Sequence, residues 1–335
     1  AIDHAQNSIL CLERLPQTKE NVQKLIDVRT VLARYYMSLN FHIEAKEAVL
    51  PIIALAEEID YQKRLSGIYL AIGSYYMYVD EDIQKGVNYL DKSMTISQST
   101  GNMMDFWMAT FFKGMGMFSI GEYDKGFKLL KKAEDLSKVG GNQSGIVFIR
   151  SIIYIYECLS GNNIGKTYKS SKDNLNKAEE IGDIFFREPA NVCYGIVCFY
   201  NRILTEAESH LKKALALCEK TAHFNMGALA SSHLAEVYLE RDEYENAQYY
   251  IQKSISFQES NKYLPSTINS FKLKLSRAKI LNNEVDININ EMVKTYSKII
   301  LKDWQNLAMI DLGQILINVD DRHFDEAQDW IEKAI

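Results

Sequence analysis

The segment GEYDKGFKLLKKAEDLSK, which begins at Gly121, contains the pattern that decides the fold. A turn residue is followed by an aromatic residue, by a small residue three positions later, and by another small residue seven positions after that. ILTEAESHLKKALALCEK, from Ile203, and DEYENAQYYIQKSISFQE, from Asp242, keep the same order, with an aliphatic residue in place of the aromatic one in the former. Similarity of this kind within one chain is the signature of a repeat architecture.

The repeats recur about every forty residues, because successive copies of the first small position are 41, 40, 81, 40 and 80 residues apart. Two weaker copies fill the double gaps. The small residues that we expect at helix crossings are Ala45, Gly86, Gly126, Ala133, Ala207, Ala214, Ala247 and Ala327. The predicted repeats lie near 18–60, 61–101, 102–141, 143–182, 183–222, 223–262, 263–302 and 303–335, after a remnant helix at 1–14.

Each repeat is predicted to contain two helices. The first is apolar, as in SGIYLAIGSYYMYV from Ser66, and the second is amphipathic, as in KGFKLLKKAEDLSK from Lys125. Helical spacing of the apolar residues identifies the buried side of the second helix. Small residues at the crossing let two helices approach closely, and stacking of neighbouring repeats covers the apolar first helix. We therefore predict an all-α, right-handed superhelical solenoid of about eight helix-turn-helix repeats.

Composition excludes several classes of function. The net charge of −6 and the isoelectric point near 5.7 disfavour nucleic-acid binding, which requires a basic excess. The longest uncharged segment, 65–79, is shorter than the roughly 18–20 residues of a membrane span. Five cysteines in apolar helical segments indicate reduced thiols and a cytoplasmic protein. We expect neither nucleic acid nor membrane as a partner.

The repeat pattern resembles the tetratricopeptide repeat, in which small residues occupy positions 8, 20 and 27 and an aromatic residue lies near position 17. In the third repeat these positions hold Gly114, Gly126, Ala133 and Tyr123. The forty-residue period resembles the longer-helix variant of bacterial signalling proteins. Such a resemblance implies a helical hairpin in each repeat and a protein-binding or ligand-sensing role.

Two segments resemble a more particular group of proteins. LERLPQTKENVQKLIDVRTVL, from Leu12, is similar to the start of the helical-repeat region in large bacterial adenylate/guanylate cyclases, and ILINVDDRHFDEAQDWIEKAI, from Ile315, is similar to a late repeat there. In that family a cyclase domain and an ATPase module precede the repeats. The resemblance implies a non-catalytic sensing or interaction region, contacted by a protein or peptide partner or by other domains of the parent chain.

The ends of the chain lead to a separate expectation. They indicate a fragment of a longer protein, and self-association through exposed terminal repeats, for example at Leu10 and Trp330, is then expected. Two alternatives remain open for the function. One is a stand-alone peptide-pheromone receptor with tetratricopeptide repeats, and the other is the sensor domain of a helical-repeat transcriptional regulator.

No motif in the sequence indicates catalysis, a cofactor or a metal. The segment 114–123 contains G-x-G but has no preceding strand, and 139–145 is glycine-rich but lacks the lysine of a P-loop. Cys193 and Cys198 are five residues apart, so they lie on different sides of one helix. The six histidines do not form a metal-ligand pattern. We expect this fragment not to be an enzyme, whereas the resemblance implies a nucleotide cyclase or ATPase for the parent protein.

The resemblance also implies where a partner would bind. In tetratricopeptide arrays, positions 2, 5, 9, 12 and 13 of the first helix line a concave groove. The groove candidates are Tyr75, Tyr78, Met108, Phe111, Met115, Phe118, Phe199 and Tyr200. This aromatic, methionine-containing lining suits an amphipathic helix or an apolar ligand. The same residues would instead form part of the core if the long helices close the groove, and the sequence leaves both possibilities open.

Overall fold

The computed structural model describes residues 1–161, 164–261, 264–284, 288–319 and 323–334. Helices make up 85% of the structure, and no strand occurs among the described residues. Within these ranges, no helix combines the length and the apolar character that a membrane crossing requires. The architecture is therefore all-α, as the repeat pattern predicts.

The helices follow one another as antiparallel pairs. In chain order they are α1 (Ile2–Leu12), α2 (Lys19–Ser38), α3 (His42–Val49), α4 (Ile53–Glu58), α5 (Gln62–Tyr78), α6 (Ile83–Thr100), α7 (Met103–Ser119), α8 (Tyr123–Val139), α9 (Gln143–Leu159), α10 (Ile164–Ile181), α11 (Ile184–Tyr200), α12 (Leu204–Thr221), α13 (Phe224–Leu239), α14 (Tyr244–Asn261), α15 (Pro265–Leu281), α16 (Ile289–Tyr296), α17 (Lys302–Val319) and α18 (Phe324–Ala334). After α1, the described helices form eight hairpins, of which the first pairs α2 with α3 and α4. The predicted helical-repeat solenoid of about eight hairpins is confirmed.

The turn inside a hairpin has a recurrent geometry. In the turns that lead to α3, α8, α12 and α14, a residue with positive φ lies two positions before the second helix, as at Gly121 with φ 78° and Arg202 with φ 61°. The next residue donates its backbone N–H to a carbonyl five residues earlier, which satisfies an unpaired acceptor at the end of the first helix. Examples are Glu122 N to Met117 O at 2.8 Å and Ile203 N to Cys198 O at 2.9 Å.

The predicted crossing residues are all buried. The six alanines among them have no exposed surface. At Gly126 an added Cβ would lie 2.6 Å from a ring carbon of Phe118, and at Gly86 it would lie 3.0 Å from the carbonyl oxygen of Gly73. Real Cβ atoms essentially never come closer than 3.0 Å to another atom and seldom come as close as 3.0–3.4 Å, so the absent side chains allow the two helices of a hairpin to touch.

Contacts between residues divide the chain into two compact units. Unit 1 comprises Ala1–Phe118 and Glu122–Leu136, and unit 2 comprises Ser119–Gly121 and Ser137–Ile335. Within unit 1, α5 packs against α2, α3, α4 and α6, and residues 65–74 are buried. Within unit 2, α11 packs against α9, α10, α12 and α13, and residues 188–198 are buried. First helices thus form the core of each unit.

Two second helices depart from the regular pattern. In the first hairpin, Pro51 has no N–H to donate to the carbonyl of Glu47, and the helix is interrupted by a 3-10 turn at Leu50–Ile52. In the seventh hairpin, α16 has only 8 residues. The segment after α16 is held instead by Ser266, whose Oγ accepts the backbone N–H of Ile300 at 2.9 Å.

Candidate functional site

A side of α7 in unit 1 carries three of the predicted groove residues. Met108, Phe111 and Met115 are partly exposed, and Met104, one turn earlier, is 54% exposed. Their spacings of four, three and four residues place the four side chains along one side of the helix. We call this row of residues the α7 stripe.

Neighbouring rings hold the middle of the α7 stripe in place. Phe111 stacks on Trp107 with ring centres 5.9 Å apart, and it also contacts Phe112 at 5.4 Å. The indole N–H of Trp107 donates to the carbonyl of Ala133 on α8 at 3.0 Å, which fixes the ring against the second helix. The stripe therefore presents an apolar surface on a helix whose supporting rings are ordered by packing.

Phe118 was predicted to line the groove, and this prediction is wrong. Its side chain has no exposed surface, and its ring packs against Phe127 at 5.0 Å. The physical reason lies at Gly126, because the missing side chain there leaves room for the Phe118 ring between the two helices. Phe118 belongs to the core of the α7–α8 hairpin.

Tyr78 was also predicted to line the groove and is also buried, with 6% exposure. Its ring packs against His42 at 4.9 Å and Phe112 at 5.6 Å. Both positions lie near the end of a first helix, where neighbouring helices cover the surface that a groove would need.

Tyr75 lies away from the groove side because the turn between α5 and α6 has one extra residue. The N–H of Asp82 bonds to the carbonyl of Tyr76, six residues earlier instead of five. The extra residue puts Gly73 at the helix crossing, where an added Cβ would lie 3.1 Å from Gly86 O. Tyr75 is therefore rotated away, and its ring lies 3.5 Å from the ammonium group of Lys46. The groove assignment of Tyr75 is wrong.

In unit 2, the equivalent side of α11 is closed along most of its length. Val192 and Ile196, which occupy the positions of Phe111 and Met115, have no exposed surface. The predicted residues Phe199 and Tyr200 are partly exposed at the end of this helix. Phe199 contacts the imidazole of His233 at 6.4 Å between ring centres. An apolar surface comparable to the α7 stripe is not present on α11.

Four charged residues that no sequence motif indicates meet on the first helices of unit 2. Glu236 lies on α13, Lys274 and Arg277 on α15, and Asp311 on α17. Lys274 Nζ lies 2.5 Å from Glu236, and an Arg277 nitrogen lies 3.2 Å from Asp311 and 3.5 Å from Glu236. We call this group the four-charge cluster.

The two carboxylates of the four-charge cluster have opposite pKa shifts. Burial raises the pKa of Glu236, but the positive charges of Lys274 and Arg277 outweigh it and bring the pKa to about 2. Burial raises the pKa of Asp311 to about 6, against the opposing effect of the same two cations. Glu236 is thus the better stabilised anion, because it holds the short contact with Lys274.

A buried aspartate in unit 1 has a fuller set of partners. Asp105 is 1% exposed and accepts hydrogen bonds from Arg34 at 2.7 Å, Ser66 at 2.6 Å and Asn102 at 2.7 Å. Gly67 lies beneath it, since an added Cβ there would be 3.3 Å from a carboxylate oxygen. The aspartate therefore joins three successive first helices, α2, α5 and α7.

Burial shifts the pKa values of several histidines and cysteines. Among the described residues, groups of three or more His, Cys, Asp or Glu side chains that could hold a metal ion do not occur. Burial lowers the pKa of His42 to about 3 and of His233 to about 4. Burial also raises the pKa of Cys158 to about 12 and of Cys218 to about 12, so these thiols stay protonated at neutral pH.

Comparisons with known proteins define the fold. No protein-family model matches the chain, and no curated protein matches it. The structure of the APC/C hetero-tetramer Cut9–Hcn1 is similar over 98% of this chain and 62% of the matched chain, with 15% identity and a TM-score of 0.51. A signal transduction ATPase with numerous domains from Pyrococcus horikoshii, which has a tetratricopeptide repeat sensor, is similar over 93% of this chain and 52% of its own, with 14% identity and a TM-score of 0.45. This chain therefore spans less than two thirds of either matched chain, and it shares the fold of a helical-repeat solenoid with the chain of the Cut9–Hcn1 structure.

Proposed function

We propose that the chain is a non-catalytic protein-interaction region and that a partner binds along the α7 stripe. The observation that carries this proposal is the row of Met104, Met108, Phe111 and Met115, all at least partly exposed on one side of a first helix. Methionine side chains are flexible and polarisable, so such a surface adapts to the apolar side of a partner helix. An amphipathic helix that docks with anchors at i, i+3, i+4 and i+7 matches this spacing.

We place the partner on α7 and not on the corresponding side of α11, because the side chains on that side of α11 are buried. Val192 and Ile196 have no exposed surface for a partner to touch, whereas every residue of the α7 stripe is at least partly exposed. The hetero-tetramer Cut9–Hcn1 provides an example of a protein of this fold that is part of a protein assembly.

The parent protein is proposed to be a larger bacterial signalling protein of the cyclase and ATPase type. This part of the proposal rests on the sequence resemblance at 12–32 and 315–335. In such a protein the repeats would couple partner binding to a nucleotide-dependent activity elsewhere in the chain. The reading frame that encodes the residues before Ala1 tests it, since a cyclase domain and an ATPase module are expected there, and their absence would contradict it.

Two glutamate substitutions on α7 separate an accessible surface from a core. Phe111→Glu places the charge in the α7 stripe, where water reaches it, whereas Phe118→Glu places it two turns later in the core of the hairpin. A buried unpaired charge costs several kcal/mol, so Phe118→Glu should lower the melting temperature by more than about 10 °C. Phe111→Glu should lower it by only a few degrees.

Thermal melts followed by circular dichroism give both values. If Phe111→Glu destabilises the protein as strongly as Phe118→Glu, the α7 stripe is part of the core and the proposed site is wrong. If the fold tolerates Phe111→Glu, the same variant should lose binding to the partner, because a charge replaces an apolar anchor.

A further inference from the structure

Asp311 in the four-charge cluster is poorly compensated for a buried carboxylate. It is 3% exposed, and among the described residues its hydrogen-bond donor is Arg277, at 3.2 Å. Charge-assisted bonds between nitrogen and a carboxylate are normally about 2.7–2.9 Å long. A buried carboxylate with one long bond retains much of its desolvation penalty when it is ionised.

Asp105 shows what full compensation looks like in the same protein. It is equally buried, yet it accepts three hydrogen bonds of 2.6 to 2.7 Å, one of them from Arg34. Within the described part of the chain, Asp311 has fewer partners than Asp105 because Lys274 pairs with Glu236 at 2.5 Å and Arg277 is shared between Glu236 and Asp311. Glu236 therefore pairs with both cations, whereas Asp311 pairs with Arg277, which it shares with Glu236.

Asp311, and not Glu236 or His233, is the group that accepts a proton near neutral pH. Glu236 and His233 on α13 have pKa values lowered to about 2 and about 4, so neither titrates between pH 5 and 7.5. Lys274 and Arg277 are the charged groups of α15 that act on Asp311. Further out, Glu236 acts electrostatically on Tyr200 of α11, and Glu240 acts electrostatically on Arg277.

The other helices packed against α17 present apolar or aromatic side chains to it. Met292 and Tyr296 of α16 and Trp330 of α18 pack with Leu312 and Ile315 in one core cluster. Burial raises the pKa of Tyr296, which keeps this phenol neutral below pH 8. The position of Asp311 is therefore the contact between α15 and α17, where the hairpin α17–α18 joins the preceding helices.

We propose that Asp311 is a proton-binding site at the contact between α15 and α17, and that its protonation tightens the packing of the α17–α18 hairpin. A neutral carboxyl no longer needs compensation for its charge. Arg277 can then turn fully to Glu236, which lies 3.5 Å away in the present arrangement. Acidification from neutral pH should therefore strengthen the contact between α15 and α17. If the carboxylate were instead well paired, its protonation would weaken the contact.

The direction in which pH changes the stability of this contact follows from the pKa of Asp311 in the folded and unfolded states. The pKa of Asp311 is about 6 in the folded protein, above the 3.8 of an unperturbed aspartate. The folded protein therefore binds the proton more tightly, and the contact gains stability as the pH falls from 7.5 to 5. Over that interval the gain corresponds to about a tenfold change in the equilibrium for opening of α17.

Hydrogen exchange of the α17 amides, corrected for the intrinsic exchange rate, measures this opening. Wild type and Asp311→Asn are compared at pH 7.5 and pH 5, so that effects of the buried histidines cancel in the ratio. We expect the protection of wild type relative to Asp311→Asn to rise about tenfold between pH 7.5 and pH 5. Asp325→Asn, which changes an exposed carboxylate on α18, should show a constant ratio.

The proposal is overturned if the ratio for Asp311→Asn does not change with pH, or if this variant is less protected than wild type at pH 7.5. A carbon-13 titration of the aspartate carboxyls in the wild-type protein gives a second measurement that needs no folded variant. A midpoint near 6 for Asp311 supports the proposal, and a midpoint below about 4.5 contradicts it.

Discussion

The helix crossings can be tested with one substitution made at two positions of the same helix. Ala214 on α12 has no exposed surface, whereas Ala216, two residues later, is exposed. Replacing either alanine by leucine hardly changes helix propensity, since both residues are strong helix formers. Any difference in stability between the two variants therefore reports packing around α12.

The expected magnitude comes from the space available at Ala214. A leucine adds three carbon atoms to a site that is already closed, and overpacking of this kind costs about 1–3 kcal/mol. For a chain of this size each kcal/mol lowers the melting temperature by about 2–4 °C, so Ala214→Leu should melt about 2–12 °C below wild type. Ala216→Leu should melt within about a degree of it.

Thermal melts and urea unfolding of the three proteins, followed by circular dichroism, provide the comparison. Equal melting temperatures for Ala214→Leu and Ala216→Leu would refute the assignment of Ala214 to a close contact between helices. A larger effect at Ala216 would mean that the two sides of α12 are reversed.

Three further substitutions test the packing and the buried polar groups. Gly126→Ala should lower the urea midpoint, because its Cβ would lie 2.6 Å from the Phe118 ring, whereas Gly165→Ala, where no atom lies within 4 Å, should not. Arg34→Ala should cost about 3 kcal/mol in urea unfolding, because it removes a partner from the buried Asp105; a cost below about 0.5 kcal/mol would show that Ser66 and Asn102 suffice. His42 has a pKa lowered to about 3 by burial, so its contribution to stability is complete above its unfolded value of 6.5 and is lost as the pH falls toward 3. At pH 5 that loss is about 2 kcal/mol, and His42→Gln should unfold with a smaller dependence on pH between 7 and 5 than wild type; an unchanged dependence would contradict the assignment.

The fold could be predicted from the sequence because its determinants are local and repeated. The small residues of the second helices recur at nearly constant spacing, and each marks a place where two helices touch. The apolar first helix and the amphipathic second helix differ in pattern within every repeat, so a hairpin is visible without any long-range information.

The candidate site could be predicted only in part, because it depends on details that repeat spacing does not show. One extra residue between α5 and α6 moves Tyr75 by about 100° around its helix, and nothing in the sequence marks that residue. Phe118 and Tyr78 have the residue types of a groove, but neighbouring helices cover them. Whether an aromatic residue on a first helix is exposed is decided by the packing of the adjacent hairpins.

The four-charge cluster was missed because its paired members are far apart in the sequence. Arg277 and Asp311 are 34 residues apart, and Glu236 and Arg277 are 41 residues apart. A weak signal was nevertheless present. Glu236 is the only charged residue in FNMGALASSHLAEVYL, which is α13, and Asp311 is the only one between Asn306 and Val319. A lone charge inside an apolar helix needs a buried partner, and the neighbouring first helices are where such a partner can lie.

Site-specific photo-crosslinking tests the central claim, that a protein partner binds along the α7 stripe. A photoreactive amino acid is placed at Met108, in the α7 stripe, or at Lys128, which is exposed on the second helix α8. In the cells that produce the protein, illumination should link one defined partner protein to the chain from position 108, and Phe111→Glu should abolish the product. A product from position 128 but not from position 108, or a product from position 108 that persists with Phe111→Glu, would contradict the claim.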